Sequence, residues 1–394
     1  MDKLRVALVG VGVMGSKYAD MLISGEVKNM VLTGVVARNP KAQEWAATLA
    51  DENGTRPNVY TDVDDMFAHG DDFDAVIIAT PHKTHEEIAT RAFSSGKHVL
   101  CDKPAGITIR QALNMTEASR KYDKVYGMIF HQHRYPKYIR IKQMLDGGEL
   151  GGLKRMLVVN SRYFRTAYYH QSGSWRSSWN GEGGGALINQ GAHILDMWQW
   201  LFGMPKKVYA EIPFGKYNDF KVDDEATIHM RYENGATGVF ILTTGEAVWQ
   251  ERLEIVGTKG RILLEEDTLH IYRYNKDSAE YINTEKVNSR ENLTITEEVI
   301  EFAKAKEPYV EVLENFAQAA ITEDDSILIA PGEDAVHQIM LTNAAYYSAW
   351  KNMPFCLPLD AGAYDEAFRE QCEGEKVFDA VGKTGKFGIR VRSY

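Results

Sequence analysis

Residues 6–15 read VALVGVGVMG, an apolar run that leads into the pattern G-x-G-x-x-G, ten residues from the start of the chain. The first glycine of this pattern permits a tight turn, the second lets the backbone approach a pyrophosphate, and the third allows close packing of a helix on a strand. The helix that follows offers free N–H groups and the positive end of its dipole. The predicted dinucleotide-binding residues of this segment are Gly10, Gly12, Val13, Met14 and Gly15.

The first 130 residues alternate short β-branched runs with amphipathic stretches, which predicts an N-terminal, doubly wound parallel sheet of the Rossmann type, an α/β fold. The predicted strands are Arg5–Val9, Val31–Ala37, Ala75–Ala79, His98–Cys101 and Val125–Ile129.

After Leu153 the pattern changes to longer alternating strands, several of them joined by turn pairs such as Asn234-Gly235. They predict a C-terminal α+β domain with a large, mostly antiparallel open sheet. The predicted strands are Lys154–Arg162, Lys207–Pro213, Glu225–Tyr232, Ala236–Thr243, Arg252–Val256, Arg261–Glu265 and Leu269–Tyr274.

We therefore predict a dinucleotide-binding domain over residues 1–130 and a substrate-binding and oligomerisation domain over 131–360. A Gly-rich segment and one apolar helix, Ala186–Phe202, form a long insertion between the first two strands of the second domain. A late helix near 335–350 is expected to pack back on the first domain. Residues 361–394 are left unassigned.

Composition excludes several classes of protein. The 394 residues carry a formal net charge of -10 without a Lys/Arg cluster, which argues against nucleic-acid binding. The three cysteines are too few and too widely spaced for a disulfide framework, and no apolar stretch has the length of a membrane span. We expect a cytoplasmic protein without membrane or nucleic-acid partners.

The end of the second predicted strand bears on the choice of cofactor. An NAD enzyme usually places an acid there against the ribose 2′-hydroxyl, whereas this chain has Ala37-Arg38-Asn39-Pro40. Arg38 can pair with a 2′-phosphate or stack on the adenine, which favours NADP over NAD. A solvated strand-end charge is the alternative role for Arg38.

Further motifs carry a resemblance to a known family. They are the segment 75–81 with His85, the run Gly96-Lys97-His98-Val99-Leu100-Cys101-Asp102-Lys103-Pro104, the Gly-rich segment 183–196 and Leu357-Pro358-Leu359-Asp360. In this order they resemble the glucose-fructose oxidoreductase/inositol dehydrogenase (Gfo/Idh/MocA) family over roughly residues 4–360. The resemblance implies a Rossmann domain, a second domain with an open sheet, and homodimers or homotetramers that pair through that sheet.

The resemblance also adds Thr80, Pro81, His85, Asp102 and Lys103 to the cofactor site. The family's usual Glu before the Lys-Pro pair is Asp102 in this chain, which keeps a carboxylate near Lys103. Its frequent Asp four residues before the helix histidine is Asn189, and an amide cannot take up a proton.

Lys103 and His193 are the predicted catalytic residues. Hydride transfer from an alcohol requires loss of the hydroxyl proton, so a base or relay must contact that oxygen. Lys103 follows a parallel strand at its C-terminal end, where open α/β sheets bind ligands, and histidine titrates near neutrality. On one continuous helix, Asn189 and Asp196 would share a face with His193. Asn189 would then bind the substrate, and Asp196 would either orient the imidazole or serve as a hydrogen-bonded structural acid.

The stretch from Tyr163 to Trp179 is dense in aromatic side chains and hydrogen-bond donors, as a sugar-binding surface requires. Ordinary packing of a sheet-covering loop is the alternative for any single member. No compact metal-ligand spacing occurs, so we predict no metal. The predicted substrate-binding residues are His131, Tyr163, Tyr169, Trp175, Arg176 and Asn189.

The leading functional hypothesis is an NAD(P)-dependent dehydrogenase or reductase acting on a secondary alcohol of a sugar, glycoside or inositol. A second hypothesis is a redox-neutral sugar lyase, epimerase or glycosidase that reduces its bound cofactor only transiently. A third is a non-catalytic nucleotide-sensing protein, because a fold alone does not establish activity.

Overall fold

The computed structural model of the protein describes residues 3–173 and 175–375. Within these residues a six-stranded sheet has the order β3-β2-β1-β4-β5-β6, with every neighbouring pair parallel. Its strands are β1 (Leu4–Val9), β2 (Met30–Val36), β3 (Asn58–Tyr60), β4 (Ala75–Ile78), β5 (His98–Cys101) and β6 (Tyr126–Met128). This order, with the switch between β1 and β4, confirms the predicted Rossmann sheet.

Five helices connect these strands, and they are α1 (Val13–Ile23), α2 (Pro40–Ala46), α3 (Val63–Ala68), α4 (His85–Ser94) and α5 (Ile109–Lys121). Strands β4 and β5 are buried along their whole length, as is typical of a parallel sheet covered on both faces. The carboxyl ends of β1, β4 and β5 therefore meet at one edge of the sheet.

A second sheet, with nine strands among the described residues, has the order β14-β13-β12-β11-β7-β10-β9-β8-β15. Only the pair β7 and β10 is parallel within this described sheet, so it is mostly antiparallel, as predicted. Its strands are β7 (Leu153–Asn160), β8 (Lys207–Glu211), β9 (Glu225–Arg231), β10 (Thr237–Thr243), β11 (Glu251–Gly257), β12 (Gly260–Glu265), β13 (Thr268–Tyr274), β14 (Ile295–Glu301) and β15 (Phe355–Cys356).

The two faces of the large sheet differ in exposure. Met156, Val158, Phe240 and Ile255 point to the core and are at most 3% exposed. The alternate residues of the same strands, such as Leu157 in β7, are half-buried, so this face is open. Pairing of copies through the open face remains a prediction.

The remaining helices follow the first sheet, and they are α6 (Pro136–Asp146), α7 (Ala167–His170), α8 (Trp179–Glu182), α9 (Ala186–Asn189), α10 (Ala192–Phe202), α11 (Ser278–Thr284), α12 (Pro308–Thr322), α13 (Ala335–Lys351) and α14 (Ala361–Cys372). Short 3-10 turns lie at Gly70–Asp72, His82–Thr84, His131–Arg134, Asp325–Ile327 and Gly332–Asp334.

The single helix predicted over 186–202 is wrong, because the chain breaks it into α9 and α10 at Gln190-Gly191. The N–H of Gly191 donates to the carbonyl of Ala186 at 2.8 Å, and a Cβ on Gly191 would lie 2.5 Å from the carbonyl oxygen of Leu187. The chain is therefore too tight at this point for a side chain. Asn189 and His193 lie in two different helices, so they do not share a helix face.

The chain returns to the first sheet after β14. Helix α12 packs on it through Leu313, Phe316 and Ala317, in one core cluster with Val6 and Leu8. Helix α13 lies against β8 and also contacts α5.

One contact of α13 is specific. The Asn343 Oδ1 accepts a hydrogen bond from the Ile109 N–H at 2.9 Å, which ties α13 to the start of α5. Helix α14 begins the segment that the sequence left unassigned, and residues 376–394 of that segment lie outside the described residues. Among the residues described, no helix is both long and apolar enough to cross a membrane.

Candidate active site

The glycine turn after β1 has the geometry that a dinucleotide requires. Gly10 has a φ of 99°, and a Cβ on Gly15 would lie 1.9 Å from the carbonyl oxygen of Gly10, so neither position accepts a side chain. A Cβ on Gly12, in contrast, would meet no atom within 4 Å, so open space lies beside this turn. Helix α1 begins directly after Gly12 without a side-chain cap from the described residues, which leaves its N–H groups available to a phosphate.

Val13 and Met14, the other predicted members of this turn, form the first residues of α1. Val13 is an apolar residue that is 83% exposed. These residues fit the binding of a dinucleotide.

The strand ends next to this turn are tied together by His85. Its Nδ1 lies 2.8 Å from the carbonyl oxygen of Pro104 and its Nε2 lies 2.8 Å from that of Thr80. The Thr80 Oγ1 accepts a hydrogen bond from Thr84 at 2.8 Å, next to Pro81. The predicted cofactor residues Thr80, Pro81 and His85 therefore lie at the same sheet edge as the glycine turn, with His85 buried beneath the other two.

Arg38 lies exposed at the end of β2. The next residue, Asn39, caps α2 by accepting a hydrogen bond from the Ala42 N–H at 3.0 Å.

Lys103 follows β5 and is held by Asn189. The Lys103 Nζ donates to the backbone carbonyl oxygen and to the Oδ1 of Asn189, both at 2.9 Å. The Lys103 N–H donates to the Asp102 carboxylate at 2.8 Å. Burial lowers the pKa of Lys103, although Asp102 and Glu182 oppose this shift. Burial also raises the pKa of Asp102, against the effect of Lys103 and His85.

His193 is a buried, neutral imidazole. Burial, with contributions from His131 and Lys103, holds its pKa well below the usual range of histidine. Its Nδ1 is buried and has no hydrogen-bond partner in the part of the chain that the structure describes. The ring of His131 lies edge-on to it with centroids 4.6 Å apart, and burial lowers the pKa of His131 to about 3.

Of the two roles considered for Asp196, the contacts favour the hydrogen-bonded structural acid over the residue that orients His193. The Asp196 Oδ2 lies 2.7 Å from the Nε2 of His133, and its Oδ1 accepts from the Gln199 Nε2 at 3.2 Å. Asp196 therefore pairs with the second histidine of the 131–134 turn. The break between α9 and α10 does not cause this pairing, because Asp196 and His193 both lie in α10.

The aromatic segment after β7 reaches the same site through Tyr169. The hydroxyl of Tyr169 accepts from Arg176 at 2.8 Å, from Gln190 at 3.0 Å and from Asn189 at 3.3 Å. The Arg176 guanidinium also lies over the rings of Tyr169 and Trp175, 4.7 and 4.6 Å from their centroids. The structure thus brings Tyr169, Trp175 and Arg176 next to Asn189.

Tyr163 is joined to this group by Arg165, whose guanidinium lies 5.2 Å from the centroid of Tyr163 and 4.2 Å from that of Tyr169. The predicted substrate residues therefore fall into two groups. One group is centred on Tyr169, and the other is His131, which lies beside the predicted catalytic residue His193.

Sequence reasoning missed three residues of the site. Glu182 is a buried acid directly before the Gly-rich run, a position that could have drawn attention to it. His82 donates from Nδ1 to the carbonyl oxygen of Glu182 at 3.0 Å, and its ring lies edge-on to Trp175 at 5.2 Å.

Tyr309, the third missed residue, reaches the site from α12 and stacks on His131 with centroids 4.1 Å apart. The Lys17 ammonium lies over the ring of Tyr309, 3.9 Å from its centroid. No sequence motif marks Tyr309. As for metals, the described ranges hold no group of three His, Cys, Asp or Glu side chains arranged as a metal site.

Comparison with known proteins matches two family models. Residues 4–130 match an oxidoreductase family with an NAD-binding Rossmann fold, and residues 138–263 match a Gfo/Idh/MocA C-terminal domain. The first model covers the glycine turn, Lys103 and His85. The second covers Tyr169, Asn189 and His193.

Several curated relatives are dehydrogenases. The chain is 29% identical to the levoglucosan dehydrogenase of Pseudarthrobacter phenanthrenivorans, over 67% of this chain and 74% of that protein. It is 27% identical to the inositol 2-dehydrogenase of Mycolicibacterium gilvum, over 67% of this chain and 72% of that protein.

Among solved structures, the WlbA dehydrogenase of Bordetella pertussis, in complex with NADH and UDP-GlcNAcA, has a TM-score of 0.74 at 21% identity, over 91% of this chain and all of that one (100%). This likeness establishes the shared fold. With both family models matched in chain order over most of the protein, the chain belongs to the Gfo/Idh/MocA family of NAD-binding oxidoreductases.

Proposed function

We propose that this protein oxidises a secondary alcohol of a sugar, glycoside or inositol to a ketone or lactone and catalyses the reverse reduction. The names of the two curated relatives support a ring-shaped polyol as substrate. The observation that carries the proposal is the juxtaposition of the Lys103 ammonium, held by Asn189, with the buried imidazole of His193 at the carboxyl edge of the Rossmann sheet.

Lys103 binds the reacting oxygen. An ammonium has three donors, and Asn189 accepts two of them. The third donor is directed to the substrate hydroxyl, whose oxygen becomes more negative as its proton leaves. Because desolvation lowers the pKa of Lys103, its positive charge is poorly screened by water and interacts strongly with that oxygen.

His193 takes the proton. Its lowered pKa keeps the ring neutral at neutral pH, so one ring nitrogen is a free base. In the oxidation it accepts the hydroxyl proton, and in the reduction it returns that proton to the carbonyl oxygen.

The aromatic group binds the rest of the ring. Trp175 and Tyr169 offer apolar faces to the C–H bonds of a sugar, while Arg176 and Asn189 offer donors to its hydroxyls. The same side chains cover Lys103 and exclude water from the reacting oxygen.

The dinucleotide is held by the glycine turn, Thr80, Pro81 and the start of α1. A bound nicotinamide supplies the hydride acceptor for oxidation and the donor for reduction. Asp102 holds the backbone of Lys103 between this cofactor site and Asn189.

The test is incubation of the purified protein with a panel of hexoses, anhydrosugars and inositols, with NAD and NADP in turn. We expect one group of ring polyols to produce reduced nicotinamide, measured by its near-ultraviolet absorbance, and Lys103→Met to abolish the signal. Cofactor binding in the same variant, measured by calorimetry, is the control.

Two outcomes would contradict the proposal. Sugar turnover without net reduced nicotinamide would indicate a redox-neutral enzyme. Tight dinucleotide binding without turnover of any polyol would indicate a nucleotide-sensing protein.

A further inference from the structure

Glu182 is a buried carboxyl group to which the proposed reaction assigns no part. It ends α8 and is 2% exposed. Its Oε2 accepts from the Ser177 N–H at 2.6 Å, and its Oε1 accepts from the Nδ2 of Asn189 at 2.5 Å. The Arg176 Nη1 lies 3.7 Å from the Glu182 Oε1. Both oxygens therefore accept hydrogen bonds, as an ionised carboxylate does.

Asn189 links Glu182 to Lys103. One end of its amide, Oδ1, accepts from the Lys103 ammonium, and the other end, Nδ2, donates to Glu182. A rotation of the amide by half a turn would place Nδ2 against the ammonium and Oδ1 against the carboxylate, and both contacts would be repulsive. The carboxylate of Glu182 thus fixes the orientation of Asn189.

We propose that Glu182 is a positioning residue, which through Asn189 holds the Lys103 ammonium toward the reacting oxygen and supplies from α8 the negative charge that position 189 itself lacks. The inference rests on the proposed function only for the identity of the reacting oxygen. The chain from Glu182 to Lys103 is a property of the protein alone.

The surroundings of Glu182 make this arrangement sensitive to pH. Burial raises the pKa of Glu182 to about 7, although Arg176, the Ser177 N–H, Asn189 and Lys103 all lower it. His82 faces the same residue, donating to its backbone carbonyl.

When the carboxyl group takes up a proton it loses its charge, and a proton on Oε1 would oppose the Nδ2 donor of Asn189. The amide is then no longer held, and Lys103 loses its contact with Oδ1. Because the protonated form prevails below the pKa, we expect activity to fall as the pH decreases through about 7.

The first experiment does not depend on turnover. The Lys103 ammonium is followed by NMR in the free full-length protein labelled at lysine, with Lys103→Met to assign the signal. In the wild type, we expect a step in the Lys103 chemical shift near pH 7, where Glu182 ionises. In Glu182→Gln that step should disappear, and the pKa of Lys103 should fall because the carboxylate no longer opposes its burial.

The second experiment uses kcat. Glu182→Gln should lower kcat by up to about 100-fold, the effect of a small displacement of a catalytic group, and should remove the acidic limb near pH 7. The double variant Asn189→Asp/Glu182→Gln places a carboxylate directly beside Lys103, with a glutamine amide to donate to it. We expect it to recover most of the lost rate. Glu233→Gln, at the exposed β9–β10 turn, is the matched control.

The two experiments separate the possible failures. An unchanged Lys103 titration in Glu182→Gln would overturn the inference, whatever the substrate. A changed titration in a protein that oxidises no polyol would contradict the proposed function and leave the link from Glu182 to Lys103 in place. If Glu182→Gln does not fold, the wild-type titration is the test. A Lys103 chemical shift without a step near pH 7 would overturn the inference.

Discussion

The pKa values of two buried histidines at helix α10 are shifted in opposite directions. His133 has a partner at each ring nitrogen, since Nε2 lies 2.7 Å from Asp196 and Nδ1 lies 3.0 Å from the carbonyl oxygen of Ile329. Burial lowers the pKa of His133, but Asp196 outweighs burial and the pKa is raised overall. His193, equally buried, lacks such an acid, and its pKa is lowered well below the usual range.

The comparison separates a histidine with a structural role from the proposed catalytic one. Asp196 and the Ile329 carbonyl oxygen favour the imidazolium form of His133, and the Asp196 contact joins α10 to the 131–134 turn. The buried Nδ1 of His193 has no partner in the described part of the chain, at a cost in folding free energy. Burial alone therefore does not assign a histidine, whereas its partners do.

The largest expected effect is on the rate, and it tests the catalytic side of the comparison. Lys103→Met and His193→Ala should each lower kcat by roughly 10²- to 10⁴-fold while cofactor binding is retained, because each removes a group that contacts the reacting oxygen. The double variant should resemble the worse single variant, since residues of one relay do not contribute additively.

Asn189→Ala should have a smaller effect on kcat, because the amide positions Lys103 and carries no proton. Steady-state kinetics with the best polyol provide the measurement. A His193→Ala enzyme with near-normal kcat, or an Asn189→Ala enzyme as inactive as Lys103→Met, would assign the proton to other residues.

The next effect is on stability and tests the structural side. His133→Phe retains the stacking on Trp200 but leaves Asp196 buried without its cation, so the free energy of unfolding should fall by about 3–5 kcal/mol. A raised pKa means that the contribution of His133 is fully present below its unfolded pKa and is lost as the pH rises through the folded value. The loss should therefore be greater at about pH 6 than at about pH 9.

Denaturant unfolding of both proteins at the two pH values tests this prediction. His337→Phe, on the exposed side of α13, is the matched control and should change little. An equal loss at both pH values would show that His133 is not an imidazolium.

A smaller effect is expected from the aromatic group. Trp175→Ala and Tyr169→Ala should each raise KM about tenfold with little change in dinucleotide affinity, because a lost ring face weakens binding of ground state and transition state together. Tyr168→Ala, which removes a 78% exposed neighbour on α7, is the matched control. Unchanged KM in both variants would leave the group with a structural role.

The smallest effect concerns the adenosine end of the cofactor. We predict that NADPH binds several-fold more tightly than NADH, and that Arg38→Ala removes most of this difference, because no acid occupies the end of β2. Titration calorimetry with both nucleotides measures it, and the NADH affinity of the variant is the internal control. Clearly tighter binding of NADH by the wild type would contradict the prediction.

The parts of the fold that were predictable from sequence carry local signals. Strand β1 and the glycine turn stand in one run of twelve residues, and β5 leads directly into Asp102-Lys103-Pro104. Strand β14 was missed because it is an exposed edge strand, in which four of the seven residues are polar and no apolar alternation appears. Strands β3 and β15 have three and two residues, too few to show a period.

Several members of the candidate site carry a sequence signal, but the contacts between them do not. Lys103 and Asn189 are 86 positions apart, and their hydrogen bond exists only because β5 and α9 meet in space. The same holds for Tyr309 on His131, which depends on the return of α12 to the first sheet. His133 was not predictable as the partner of Asp196, because helix spacing alone does not reveal a partner from a distant turn.

The parallel pair of β7 and β10 affects which parts of this sequence can change during evolution. Strands that run in the same direction cannot be joined by a hairpin, and β8 and β9 lie beyond β10, so the chain after Asn160 must cross the sheet before it re-enters at Lys207. Tyr169, Glu182, Asn189 and His193 all stand on that crossing. Its two ends are anchored in strand register, while its middle takes no part in the nine-stranded ladder. We therefore expect substitutions at these four residues to alter the proposed substrate site without shifting a strand.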